Sequence, residues 1–202
     1  MQKSEIENEI RAICQRHADA VREGFAKVQE RLASSSREHA RVFRALGIDD
    51  KTGLELDERH MEARFVYTHA GRLMEGISSV CILSTRTARA KVRVPNICGR
   101  KPKRFEIDVL AEEMDAIEVK WRDATTDGDH ITKERDRATS VKAAGYKPIR
   151  LMFFEPSGKD AAKIQDQLSV EYPLIGGEYY RGPAAFAFLK DYTGIDVLEL
   201  LP

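Results

Sequence analysis

FEIDVLAEEMDAIEVKW, residues 105–121, holds two apolar runs on either side of a polar turn, with charged residues inside both runs. Strand side chains alternate between faces. Glu118 and Lys120 therefore share one face of the second run, and Ile117, Val119 and Trp121 share the other. On the first run Asp108 shares its face with Glu106. A hairpin turning about Glu113 sets Asp108 opposite Glu118, and directly opposed residues have Cβ atoms ~4.5–5.5 Å apart. Two carboxylates that close repel, and each resists ionisation. A divalent cation between them removes the conflict, and Lys120 adds a positive charge beside it.

That set suits phosphodiester hydrolysis. Mg²⁺ takes oxygen ligands and keeps several waters. A metal-bound water serves as nucleophile while the ion offsets charge building on the phosphate. Asp108 and Glu118 are the expected ligands, the backbone carbonyl of Val119 completes the set, and Lys120 is placed to orient the water. The competing reading is chance. In a chain with 33 basic and 33 acidic residues, a D…ExK spacing arises easily, and charged residues on edge strands often only meet solvent. Three things favour chemistry: the acids interrupt apolar strands and not a loop, the element order around them is suitable, and a basic segment precedes them.

Working outward, Lys91-Val-Arg-Val94 alternates and predicts a strand closed by Pro95. Residues 105–110 and 116–121 are the next two strands. Residues 131–144 suit a helix with Gly145 as its C-terminal cap. PIRLMFF, residues 148–154, reads as a buried strand, and 159–168 as a helix, with two short helical pieces after Tyr180. Upstream, Ile6, Ile10, Ile13, Val21, Phe25, Val28 and Leu32 recur at helical spacing from a Ser4/Glu7 capping pair. Ser35 and Glu38 can cap a second helix ending near Gly47, IDDKTG reads as a turn, and a third helix is expected from Asp57 to about Ser84. Helix, three strands, helix, strand implies an α/β fold with a mixed sheet flanked by helices. Residues 1–56 are expected to form an N-terminal helical subregion attached to a core with C-terminal helices at 57–202, in a single compact domain overall.

The length, 202 residues, is ample for one core. Formal net charge is zero, so only local patches can attract nucleic acid. Three widely spaced cysteines argue against a disulfide framework or zinc site. The charged start is no signal peptide, and no apolar run reaches the ~18 residues of a membrane span. The expected location is a prokaryotic cytoplasm.

Between Glu75 and Glu106 there is no acid, yet the span carries Arg86, Arg89, Lys91, Arg93, Arg100, Lys101, Lys103 and Arg104. A phosphate-binding arm explains this asymmetry; the alternative is a solvated basic strand and loop. The loop at 122–130 offers Arg122, Thr125, Thr126 and His130 to phosphates or base edges, and Lys133, Arg135 and Arg137 follow on the next helix. Turn formation is the simpler role for the Asp127/Asp129 pair. Tyr179, Tyr180 and Arg181 fit packing at a strand end. His17 interrupts the first helical stripe and reads as a surface or capped histidine. No phosphate loop, GxGxxG, GxSxG or HExxH occurs.

The pattern Asp108, nine residues, then Glu118-Val119-Lys120 resembles the PD-(D/E)xK nuclease superfamily. The resemblance covers roughly residues 57–154 and implies an α-β-β-β-α-β core with the acid on the second strand and ExK on the third. The proline usual before the acid is Ile107 here. A further acid from the preceding helix is common in that group, and Glu75 in GRLMEGI is the candidate. EVKWRDATTDGDHITKE, then GYKPIRLMFF and IGGEYYRG, is similar to ApaLI-type type II restriction endonucleases. That likeness implies an Mg²⁺-dependent homodimer cutting a palindrome of double-stranded DNA (GTGCAC-like) and a partner methyltransferase in the same cell. A repair or recombination nuclease is the second reading, although the QxxxY of RecB-type exonucleases is missing. A non-catalytic DNA-binding protein is the third.

Overall fold

A computed structural model describes residues 1–99, 101–111, 114–122 and 130–201, with His130 described by its backbone alone. The chain divides into two compact units, residues 1–11 with 74–202, and residues 12–73. Helices α1 (Lys3–Ser34) and α3 (Asp50–Thr85) contribute to both, and the short α2 (Ala40–Ala45) lies in the second unit. Both long helices run unbroken from one unit to the other, so no linker marks the change in the sequence.

In the 12–73 unit, IDDKTG is not the expected turn, because α3 starts at Asp50. Asp49 is its N-cap: its Oδ1 accepts the amides of Lys51 and Thr52, each at 2.9 Å, and satisfies donors that the first turn leaves open. Hydrogen bonds from the Thr52 amide and then the Thr52 hydroxyl, with a smaller part from the Lys51 amide, hold the Asp49 carboxyl below the usual carboxylate range. The helix thus begins a full seven residues before Asp57, on a cap that a charged, glycine-containing stretch disguised. The expected Ser35/Glu38 cap is likewise not used, since α2 starts after His39. His17 is not a lone histidine: its Nδ1 lies 2.9 Å from Nδ1 of His69. Burial, then His69, lowers its pKa.

The larger unit is built on one five-stranded sheet, β1 (Ala88–Pro95), β2 (Arg104–Ala111), β3 (Asp115–Lys120), β4 (Lys147–Met152) and β5 (Glu178–Arg181), paired in that order. β1–β2 and β2–β3 are antiparallel, whereas β3–β4 and β4–β5 are parallel. Parallel neighbours need long crossovers; α4 (His130–Ala143) and α5 (Lys159–Leu174) supply them. α6 (Pro183–Thr193) and α7 (Val197–Leu200) finish the chain. This is the mixed, helix-flanked sheet expected, with helix, three strands, helix and strand in the predicted order.

The interior position of β4 explains why PIRLMFF is apolar: Ile149, Leu151 and Met152, with Phe153 just beyond the strand, are all essentially fully buried, as befits a strand with parallel neighbours on both sides. On one side Val94, Phe105, Ile107, Leu110 and Ala116 pack with Val141 of α4. Ala138, Leu168 and Tyr172 form a neighbouring cluster. The need to bury Tyr172 carries α5 six residues beyond its expected end, to a last turn containing Pro173. β5 is a four-residue edge strand and holds the Tyr179/Tyr180 pair.

Among the described residues no helix is long and apolar enough to cross a membrane. Gly145 ends α4 at φ +87°, as expected of a helix-terminating glycine. Gly177 is required for a different reason. A Cβ there would sit 2.4 Å from the carbonyl oxygen of Pro148 at the start of β4. Gly177→Ala should therefore destabilise the fold by roughly 1–3 kcal/mol, the usual cost of overpacking. Urea denaturation measures this, and an unchanged midpoint would contradict the close approach.

Candidate active site

The β2–β3 ladder pairs Leu110 with Ala116 and Val109 with Ile117, the register predicted from a turn about Glu113. One residue further on, a side chain takes over from the backbone: Asp108 Oδ2 accepts the amide of Val119 at 2.9 Å. Asp108 is thereby fastened to the ExK strand. Asp108 and Glu118 are each only 6 % exposed. Buried carboxylates are costly unless paired, and each recruits its own cations here.

For Asp108 the cation is Lys91. Its Nζ donates to Asp108 Oδ1 at 3.0 Å, also to Glu75, and lies 3.5 Å from Glu106 Oε1. Burial opposes the charge on Lys91, but hydrogen bonds to Glu75 and Asp108, and the charges of both, outweigh burial and raise its pKa. For Glu118 the cations are Lys120, which hydrogen-bonds Oε1, and Arg137 of α4, whose Nη1 reaches Oε2 at 3.0 Å. Burial nevertheless pushes the Glu118 carboxyl upward, with Asp108 adding to the rise and Lys120 and Arg137 opposing it.

The expected bare pair of opposed acids is therefore not what forms. Asp108 and Glu118 sit on adjacent strands within electrostatic reach of each other, but each carboxylate is held by basic groups. Among the described residues, no three acidic, imidazole or thiol groups converge as they stand on a common metal position. Glu75, Glu106 and Asp108 instead present carboxylate oxygens to the Lys91 ammonium, and carboxylate oxygen is the kind of donor a hard divalent ion takes.

Behind Glu118 lies a second ionic layer. Arg137 Nε is 3.7 Å from Glu134 Oε1, and Glu134 Oε2 accepts a hydrogen bond from Arg150 Nη1. Arg150 is fully buried in β4 and Glu134 is 4 % exposed. Sequence reasoning missed both roles. In the sequence Arg137 stands only among the basic residues of the helix after the loop, although its i,i+3 spacing from Glu134 is visible there. Arg150 interrupts an apolar strand, the same signal that singled out Asp108 and Glu118. Lys91 was counted with the phosphate arm.

The other basic residues separate into two groups. Arg86 does not reach outward: it donates to the carbonyl of Tyr192 through Nε at 3.0 Å and stacks over that ring. Arg93 pairs with Glu106. Arg89, Lys101, Lys103, Arg104 and Lys133 are exposed, and Arg122 is half-buried. Arg100, Thr125 and Thr126 lie outside the described residues, as does the side chain of His130.

A mixed five-stranded sheet with helices on its flanks, carrying buried acids on its second and third strands, is a restriction-endonuclease-like fold. The family model described as ApaLI-like restriction endonuclease matches residues 1–202, and the chain belongs to that family. It is a restriction endonuclease that acts on DNA. No curated protein and no solved structure matches the chain.

The Glu134–Arg150 pair gives a stability test. Removing one partner of a buried pair strands the other charge, so Glu134→Gln alone or Arg150→Met alone should each cost roughly 3–5 kcal/mol. The double variant should recover most of that loss. Chemical denaturation of all three decides it; additive losses would contradict the pairing.

Proposed function

We propose that this restriction endonuclease hydrolyses double-stranded DNA at a short palindromic site, using Mg²⁺ bound by Asp108, Glu118 and the carbonyl of Val119, with Glu75 as a further acid. The observation that carries this reading is the fastening of Asp108 to the Val119 amide, which brings the β2 acid against the Glu118-Val119-Lys120 run. When bound, a divalent ion would supply a polarised water and neutralise charge on the phosphate.

The chain's own residues do the rest. Lys120, now held by Glu118, carries a positive charge that can orient the attacking water and stabilise the five-coordinate phosphorus. Arg137 keeps Glu118 in place from α4. The exposed Arg89, Lys101, Lys103 and Arg104 form the arm that meets phosphates, joined by Arg122 and Lys133 after β3. Arg86 is spent on Tyr192 and is left out of that arm. Arg100, Thr125, Thr126 and His130 keep their proposed DNA contacts on the sequence pattern alone. A palindrome is read by two symmetric copies, so the enzyme acts as a homodimer, and a methyltransferase in the same prokaryotic cytoplasm protects the host's sites.

Plasmid digestion with Mg²⁺ tests this. Discrete fragments with one sequence at every end are expected. Lys120→Ala should lower cutting by at least roughly 10²-fold, as loss of a transition-state charge does, while oligonucleotide retardation persists. Degradation without sequence bias would point to a repair nuclease. Retardation without cutting would point to a binding protein, and undiminished cutting by the variant would remove Lys120 from the site.

A further inference from the structure

Lys91 stands at an irregular point in an otherwise regular ladder. Ala90 pairs with Val109 and Val92 pairs with Ile107, which places Lys91 across from Asp108. Its own backbone is left-handed, at φ +56°. That region is unfavourable for a residue with a side chain, and such a conformation persists only where its surroundings hold it. What holds it is visible: the ammonium engages Glu75 and Asp108 and lies within ion-pair distance of Glu106.

A cross-strand salt bridge alone would explain a lysine facing an aspartate. It does not explain a strained backbone that delivers one ammonium to three acids, two of them in the proposed metal site. The Lys91 side chain also differs from the other cations there. It is 46 % exposed, against 30 % for Lys120 and 22 % for Arg137. A long flexible stem with its end near solvent can leave; Arg137 cannot leave without taking a cation from both Glu118 and Glu134.

We propose that Lys91 is an internal counter-ion that competes with the divalent metal for Glu75 and Asp108, so that metal enters as the ammonium withdraws. The proposal rests on the reading of Asp108 as a metal ligand. Metal affinity is accordingly weak in the free protein. A DNA phosphate offers the withdrawn ammonium a new partner, which couples metal loading to the presence of substrate.

The test is calorimetric titration of the full chain with Mn²⁺ alone, without DNA, on the wild type, Lys91→Met, Lys91→Arg, Asp108→Asn and the Lys91→Met/Asp108→Asn double variant. Lys91→Met should bind at least roughly tenfold more tightly than wild type, because a like charge a few ångströms from the ion is gone. Lys91→Arg should bind no more tightly than wild type, and Asp108→Asn should erase the gain. Lys91→Gln serves if circular dichroism shows the methionine variant unfolded. Asp108-dependent binding that is equal or weaker in Lys91→Met would overturn the counter-ion role alone. No Asp108-dependent binding in any variant would overturn the metal-site reading, and this proposal with it.

Discussion

Two carboxylates buried in a β-sheet have to be neutralised, and much of the larger unit is arranged around that constraint. An unpaired buried carboxylate costs several kcal/mol, a large share of the total stability of a domain this size. Asp108 meets the requirement with Lys91 and the Val119 amide, and Glu118 with Lys120 and Arg137. None of these groups is distant in the fold. β1 and β3 flank the strand that carries Asp108, and α4 crosses from β3 to β4.

The antiparallel-to-parallel change in the sheet matters for the same reason. Because β4 runs parallel to β3, the connection must cross over as a helix, and that helix carries both Arg137 and Glu134. Glu134 in turn neutralises Arg150, the fully buried cation of β4. Charges are thus handed from the exposed edge of the site to the interior. Lys91 is the most exposed of these cations and Arg150 the most buried.

The first four strands and their order along the chain were legible in the sequence because period-two alternation and buried apolar runs are local signals; the short edge strand β5 was not. The turn about Glu113 set the hairpin register, and the apolar run PIRLMFF marked β4. The acids were legible because charge inside an apolar strand is rare. The helix start at Asp49 was hidden, since an aspartate before a glycine-containing stretch looks the same in a turn and in a cap. Lys91 and Arg137 were hidden for a deeper reason. A lysine's partner depends on which strand lies beside it and on a left-handed backbone that no composition rule announces. The family resemblance agrees with the whole-chain family match, but it could not say which cations would sit on which acids.

The most direct test of the account is a crystal structure of the enzyme with duplex DNA containing its site and Mn²⁺, located by anomalous scattering. The account predicts an anomalous peak coordinated by both Asp108 and Glu118, with the Lys91 ammonium withdrawn from Asp108. A peak away from these two acids, or none while Lys91 still holds Asp108 beside bound DNA, would contradict it.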